Sequence, residues 1–327
     1  MTMKNNNPYK LCVAPMMGHT DMHFRYLLRL ISKKTMLYTE MVASNAILHN
    51  KSKKLNKLEH FNDEPVGFQL GGDNPEQLAK CAKIVESYGY NEININVGCP
   101  SKRAQSGNFG ACLFNQPKLV ASCTNEIAKA TSLPITVKTR LGWDHDSIRI
   151  VEVAERLQDV GIKALSIHGR TRAQMYKGNA DWRPIAEVKN NPRMHIPIFG
   201  NGDVNSPERA VEMRDRYGLD GAMIGRASIG NPWFFKQVKH YFKTGNHLEH
   251  ISMPERVEAA RRHLKMSIDW KGEVLGVLET RRHYTNYFKG IPNFKPYRTK
   301  MVTSDHSKDV FDTFDEVEKV FGNYQFA

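Results

Sequence analysis

Short runs rich in β-branched residues alternate with helical segments along the first two thirds of this chain, and that alternation limits the fold more than any other feature. Residues 11–15, 36–40, 66–71, 92–97, 135–140, 164–168, 196–200 and 222–225 read as strands. Residues 21–32, 75–87, 117–130, 147–160, 182–189 and 207–217 read as helices between them. Several open on N-cap signals: Thr20-Asp21, Asp73-Asn74-Pro75 and Asn205-Ser206-Pro207. The crossover after residues 36–40 has the weakest helical pattern. Eight strands alternating with helices predict an α/β fold with a parallel sheet. The span to residue 232 suits a closed (β/α)8 TIM barrel, which takes ~250 residues. An open doubly wound sheet competes, but the first strand is not followed by the G-x-G-x-x-G turn of a dinucleotide-binding unit.

From residue 233 the strand signals fade, and residues 233–243, 254–270, 273–290 and 309–321 read as helices. The expected organisation is a mobile N-terminus at 1–10, a barrel at 11–232 and an all-α domain at 233–327. Apolar content of 40% and charged content of 25% fit a soluble globular protein. No apolar run approaches the ~20 residues that span a bilayer, and Met1–Lys10 lacks the apolar core of a signal peptide. Five cysteines, none paired as C-x-x-C, argue against a zinc site or disulfide framework and for a reducing cytoplasm.

The net charge of +13 favours a polyanionic partner, nucleic acid before a membrane surface. The excess is concentrated: residues 281–300 carry Arg281, Arg282, Lys289, Lys295, Arg298 and Lys300 and no acid. Tyr284, Tyr287, Phe288, Phe294 and Tyr297 are interleaved with them. A solvated helix face is the plain reading of a charge run; the mixed aromatics shift the expectation toward phosphate pairing and base stacking.

Chemistry in a (β/α)8 barrel sits at the C-terminal ends of the strands. There the sequence places Pro15-Met16-Met17-Gly18, Thr39-Glu40-Met41, Gln69, Asn94 with Asn96 and Cys99, Lys138 with Arg140, His168-Gly169-Arg170, Asn201-Gly202-Asp203 and Gly225-Arg226. The last two groups read as a phosphate site. Glycines let backbone N–H groups approach an anion, and Arg226 can pair with it. Lys138 and His168 can reach a polar ring above the barrel mouth. Cys99 follows the alternating run Ile93, Ile95 and Val97, directly after Gly98, and Pro100 prevents the strand from continuing. A thiol where a strand opens into a loop is held and partly exposed, as a reactive cysteine should be; a buried filler is the competing reading. The strand ends show no metal cluster, carboxylate pair or Ser-His-Asp set.

Taken together, these segments resemble the tRNA-dihydrouridine synthase family. The matching stretches are Ala14-Pro15-Met16, Tyr38-Thr39-Glu40-Met41, Gln69-Leu70-Gly71, Asn94-Ile95-Asn96-Val97-Gly98-Cys99-Pro100, Val137-Lys138-Thr139-Arg140, His168-Gly169-Arg170-Thr171-Arg172, Asn201-Gly202-Asp203 and Ile224-Gly225-Arg226. The resemblance implies FMN-dependent reduction of the uracil C5–C6 bond in the D-loop of tRNA, with NADPH as electron donor. By the same resemblance, Pro15, Met16 and Met17 line the flavin. Gln69, Lys138 and His168 bind its polar edge and ribityl chain, and Asn201, Gly202, Asp203, Gly225 and Arg226 hold its phosphate. Cys99 is the general acid. Asn96, Arg140 and Arg170 at the rim, with Arg281, Arg282 and Lys289 in the helical region, face the tRNA.

A monomer without a metal is expected. The N-terminal half, with Arg25–Arg29 and Gly107–Leu113, is similar to the subgroup acting at positions 20 and 20a. The later half, with His168–Arg172 and Gly230–Trp233, is similar to the broad bacterial subgroup acting elsewhere in the D-loop. The alternatives are a flavin barrel reducing a small pyrimidine, which needs no basic helical domain, and a non-catalytic RNA-binding protein, which needs no Cys99, Lys138 and His168.

Overall fold

The computed structural model describes residues 10–50 and 58–325. The expected mobile N-terminus lies, but for Lys10, outside the described residues. Nine parallel strands make one sheet: β1 (Lys10–Val13), β2 (Leu37–Tyr38), β3 (Val42–Ala43), β4 (Val66–Gly71), β5 (Glu92–Val97), β6 (Ile135–Arg140), β7 (Ala164–His168), β8 (Ile198–Asn201) and β9 (Gly221–Ile224). Their order is β1-β9-β8-β7-β6-β5-β4-β2, with β3 beside β4. A parallel bridge between Cys12 and Met36 closes the ring. There the Val13 N–H donates to Met36 O at 2.9 Å and the Met36 N–H to Leu11 O at 3.3 Å. The structure is therefore a (β/α)8 barrel followed by a helical region, as the alternation requires.

Crossover helices α1 (Met22–Ile31), α2 (Ser44–Leu48), α3 (Pro75–Ser87), α4 (Lys102–Ser106), α5 (Pro117–Ala130), α6 (Ile150–Asp159), α7 (Arg183–Asn190) and α8 (Pro207–Tyr217) cover the sheet. The cap signals work as expected: the side chains of Asp21, Asn74 and Ser206 accept from Phe24, Gln77 and Arg209 N–H. Apolar side chains from strands and helices merge into one core that includes Phe24, Phe68, Val137, Trp182 and Phe235. Gly200 is required by this packing, because a Cβ there would lie 2.1 Å from the Trp182 ring.

The connection from residue 36 to 50 departs from the sequence reading. Its strand ends at Tyr38, and β3 and α2 follow after a short break. The loop before β4 is held by buried charge. Arg25 is paired with Asp63 at 2.5 Å, their side chains 4% and 0% exposed. Arg29 donates to the carbonyls of Ser32, Lys33, Thr35, Asp63 and Pro65. His60 Nδ1 faces Asp63 at 3.2 Å and its Nε2 lies 2.8 Å from Tyr88 O. The hydrogen bond to Asp63 raises the His60 imidazole above its ordinary value, although burial opposes it. Asp63→Ala is expected to cost about 3–5 kcal/mol, because it leaves Arg25 charged, buried and unpaired. Urea unfolding checks this: the midpoint should fall without a change in slope.

The helical region comprises α9 (Phe234–Thr244), α10 (Met253–Lys271), α11 (Glu273–Tyr287), α12 (Lys295–Thr303) and α13 (Ser307–Phe321). Ser252 and Glu255 form a reciprocal capping box at the start of α10. The helix α12 was not read from sequence, because Met301 alone is buried along it and no apolar stripe results. A second core holds Tyr284, Tyr287, Phe288, Phe294 and Phe314, together with Leu27 from α1. This overturns one expectation. Tyr284, Tyr287, Phe288 and Phe294 are fully or almost fully buried and pack against one another, so they cannot stack on bases. Tyr284 and Tyr287 lie on the inner face of α11 with Val277, Thr280 and His283. No helix among the described residues is long and apolar enough to cross a membrane.

Candidate active site

The loop after β5 is built around Cys99, which is half-buried. The Gly98 and Cys99 N–H groups both donate to Asn96 Oδ1, at 3.1 and 2.8 Å. Arg140 Nε donates to Gly98 O at 2.8 Å, and Ala111 N–H to Cys99 O at 3.0 Å. Cys99 Sγ lies 3.3 Å from the Ser101 hydroxyl. The loop is thus held by backbone bonds on both sides of the thiol, whose side-chain hydrogen-bond partner among the described residues is Ser101. Lys138 pairs in register with Asn96 on β5 and Ser166 on β7. Burial, and then Arg140, push its ammonium down to about 8.

On the next strands His168 is buried, and Arg170 Nη1 is 3.3 Å from its Nε2. An arginine can only donate, so Nε2 accepts and the ring is neutral. Burial together with Lys138, Arg140, Arg170 and Arg226 drives His168 well below its ordinary value, in agreement. Asn201 Nδ2 donates to Met223 O at 2.6 Å, tying β8 to β9. Gly202 has φ +113° and accepts from Trp182 Nε1 at 3.0 Å. A Cβ at Gly202 would come within 2.9 Å of the His168 ring.

Asp203 is the hub of this corner. It accepts from Arg170 Nη2 at 2.7 and 2.9 Å, from Arg226 Nη2 at 3.2 Å and from Ala180 N–H at 2.7 Å. Burial alone would raise its carboxyl; these donors outweigh that and keep it below the usual range. A cavity of about 480 Å³ opens here, lined by Arg170, Tyr176, Asp203, Asn205, Arg209 and Arg226 among others. Arg170 and Arg226 pair with Asp203, and Arg209 with Glu212, so the three arginines still outnumber their carboxylates and the cavity suits an anion. Tyr176 bridges it to the cysteine loop, with Arg140 5.8 Å and Arg226 5.5 Å from its ring.

At the other side of the mouth, Pro15 and Met16 are half-buried and Met17 is exposed. Gly18 is gripped twice: its N–H donates to Glu40, and its carbonyl accepts from Arg282 Nη1 at 2.6 Å. Thus Pro15, Met16, Met17, Lys138, His168, Asn201, Gly202, Asp203, Gly225 and Arg226 do gather at one end of the barrel.

Other candidates have different work. Gln69 is buried with both ends of its amide engaged, by Asn94 and Asn96 at 2.8 Å each. Arg140 and Arg170 are buried and spend their donors on loop carbonyls or Asp203, so direct RNA contact is not what their geometry offers. Arg281 bonds Ser304 O and Asp305 at the end of α12, and Arg282 joins the helical region to the barrel. Lys289 is exposed. Sequence reasoning missed Ser101, Tyr176, Arg209 and the grip of Glu40 on Gly18. Glu40 stood inside a recognised motif and Ser101 directly after one, whereas nothing local marks Tyr176 or Arg209.

Comparison with known proteins agrees with this geometry. The profile of the dihydrouridine synthase (Dus) family matches residues 12–323. A tRNA-dihydrouridine synthase B of Pseudomonas aeruginosa is 38% identical over 294 residues, covering 90% of this chain and 88% of that protein. One from Shewanella oneidensis is 37% identical over 275 residues, covering 84% of each. Among solved structures, an old yellow enzyme homologue from Zymomonas mobilis shares the fold, with a TM-score of 0.53 at 12% identity over 74% of this chain and 90% of that one. With a profile match over nearly its whole length and relatives well above 30% identity, this chain belongs to the dihydrouridine synthase family.

Proposed function

We propose that this protein is a tRNA-dihydrouridine synthase that uses FMN and NADPH to reduce the C5–C6 bond of D-loop uridines. The observation that carries the reading is geometric: a half-buried cysteine and an arginine-lined anion cavity open on the same end of a barrel, joined through Arg140 and Tyr176. The residues fit FMN. Its phosphate would take the cavity beside Arg226 and Arg209. Lys138 and neutral His168 would meet the polar edge, and the Pro15–Met17 turn would cover the ring. When bound, FMN supplies the hydride for C6 of the uracil.

The chain's own residues do the rest. Cys99 gives the proton from Sγ to C5, as a positioned general acid does. Asn96 and Arg140 hold its loop so that Sγ keeps its direction. A uracil inside folded tRNA cannot reach this mouth, so the nucleotide must be flipped out. The basic helical region, with Lys289 exposed on it, would grip the phosphates while the base enters. We place the enzyme in the cytoplasm as a monomer.

Site-resolved mapping tests the reading. Flavin-loaded protein, NADPH and dihydrouridine-free tRNA are incubated, and reduced positions are located by reverse-transcription stops. The expected result is a stop in the D-loop. Position 16 or 17 would agree with the later half of the chain, and 20 or 20a with the N-terminal half. No signal on competent tRNA would favour a small pyrimidine as substrate.

A further inference from the structure

The barrel interior contains a continuous file of polar side chains that runs from Glu92 to the cysteine loop. Glu92, Asn94 and Asn96 alternate along the inner face of β5, with Gln69 of β4 and Thr136 of β6 beside them. The Thr136 hydroxyl donates to Glu92 at 2.7 Å. Asn94 Nδ2 donates to the Thr136 hydroxyl at 2.8 Å. Gln69 Nε2 donates to Asn94 Oδ1, and Asn96 Nδ2 to Gln69 Oε1, both at 2.8 Å. Asn96 Oδ1 then accepts the Gly98 and Cys99 N–H groups. Every donor in the file points the same way, down the barrel toward Glu92. Gln69, Asn94, Asn96 and Thr136 are all buried.

An amide side chain by itself has no preferred direction, since it can turn over and exchange donor for acceptor. Here both ends fix it. A carboxylate only accepts, so Thr136 must give its one proton to Glu92. That leaves lone pairs for Asn94, whose own oxygen is left for Gln69, and so on upward. At the top, a reversed Asn96 would aim its NH2 at two backbone N–H groups. Each bond in such a file also polarises the next. The interior of a barrel is ordinarily filled by branched apolar residues, and burying polar groups costs stability unless every one is paired. The file spans about 13 Å at ~3.3 Å per strand residue, and it ends on the cysteine loop. Burial holds the Glu92 carboxyl above its ordinary value, and hydrogen bonds with Tyr38 and Thr136 offset only part of that.

We propose that Glu92 and Thr136 are positioning residues for Cys99, acting through Asn94, Gln69 and Asn96 to fix the acceptor that holds the Gly98–Cys99 backbone. The proposal rests on the reading of Cys99 as the thiol presented to substrate.

The test compares Thr136→Val with Thr136→Ser in flavin-loaded protein. Two quantities are read: the rate of Cys99 alkylation by iodoacetamide, followed by peptide mass, and kcat and KM on tRNA. Cys112, also half-buried, serves as internal control. Valine keeps the shape and removes the hydroxyl. The expectation is a several-fold faster alkylation at Cys99 but not at Cys112, a kcat at least tenfold lower and a KM for tRNA within twofold. Serine should restore both values. Unchanged alkylation, faster alkylation at both cysteines, or faster alkylation with normal kcat would each overturn the proposal. If Thr136→Val does not fold, Glu92→Met and Glu92→Gln replace it. Glutamine keeps an oxygen toward Thr136 and methionine does not, so equal alkylation rates in that pair would overturn it. Failure of the general-acid reading shows elsewhere, as normal turnover in Cys99→Ala.

Discussion

Cys99→Ala is expected to reduce uridines at least 100-fold more slowly than the parent, with flavin content and tRNA affinity within twofold. A positioned proton donor is worth about 10²–10⁴ in rate. Little else should change, because the loop does not depend on the thiol. Asn96 accepts the Gly98 and Cys99 N–H groups, Arg140 binds Gly98 O, and Ala111 N–H binds Cys99 O, all through backbone atoms. The side chain gives up its Sγ contact with Ser101 and some packing against the core. Single-turnover reduction of dihydrouridine-free tRNA by the pre-reduced variant isolates the step. Near-normal turnover would remove Cys99 as the proton source and leave water or Ser101 to be considered.

Acidification from pH 6.5 to 4 is expected to remove a large part of the folding stability, through buried imidazoles where α1 meets α10 and α11. Burial pushes His23 and His263 down to about 4, and drives His283 well below its ordinary value. The rings of His263 and His283 are 4.5 Å apart, and those of His19 and His283 are 5.5 Å apart. Charged neighbours are Asp21, Lys271, Glu279, Arg25 and Arg282. Burial alone would raise Asp21, but Lys271, 2.5 Å away, keeps it ionised throughout this range.

In the unfolded chain these imidazoles take up protons near 6.5; in the folded protein they do not until about 4. Stability is therefore full above pH 6.5 and falls as the pH drops toward 4. A shift of this size corresponds to about 3 kcal/mol per ring, and two rings reach a large fraction of the ~5–15 kcal/mol of a typical domain. Urea midpoints measured from pH 7.5 to 4 check this, with His263→Gln expected to flatten the slope. A flat profile in the parent protein would show that these rings are protonated, or free to become so, in the folded state. The interface also carries Arg282 on Gly18, so acid should loosen the Met16–Gly18 turn along with it.

The strands at 66–71, 92–97, 135–140 and 164–168 were legible to the residue, because each alternates apolar with other residues over a short stretch and a glycine follows at or within two residues of its end. The strand expected at 36–40 was not. Its polar end, Thr39-Glu40, makes long-range bonds: the Thr39 N–H reaches Gly67 O at 3.0 Å, and Glu40 accepts from Gly18. Neither partner is local. The aromatics between 284 and 297 misled for a related reason. Composition records that basic and aromatic residues are interleaved, but not that α11 turns Tyr284 and Tyr287 inward while Lys289 stays outside.

The sequence by itself determined the barrel, the domain order and the gathering of Cys99, Lys138, His168, Asp203 and Arg226 at one mouth, because strand ends in this topology all point the same way. Only the tertiary structure decided what each polar group does there. Arg170 is paired with Asp203, Arg140 holds Gly98, Gln69 is a link in a file that begins at Glu92, and Arg282 reaches across to Gly18. A guanidinium or an amide in a sequence is only a set of unspent donors and acceptors. Which partner takes them depends on distance and burial, and those are fixed when strands far apart in the chain are brought side by side.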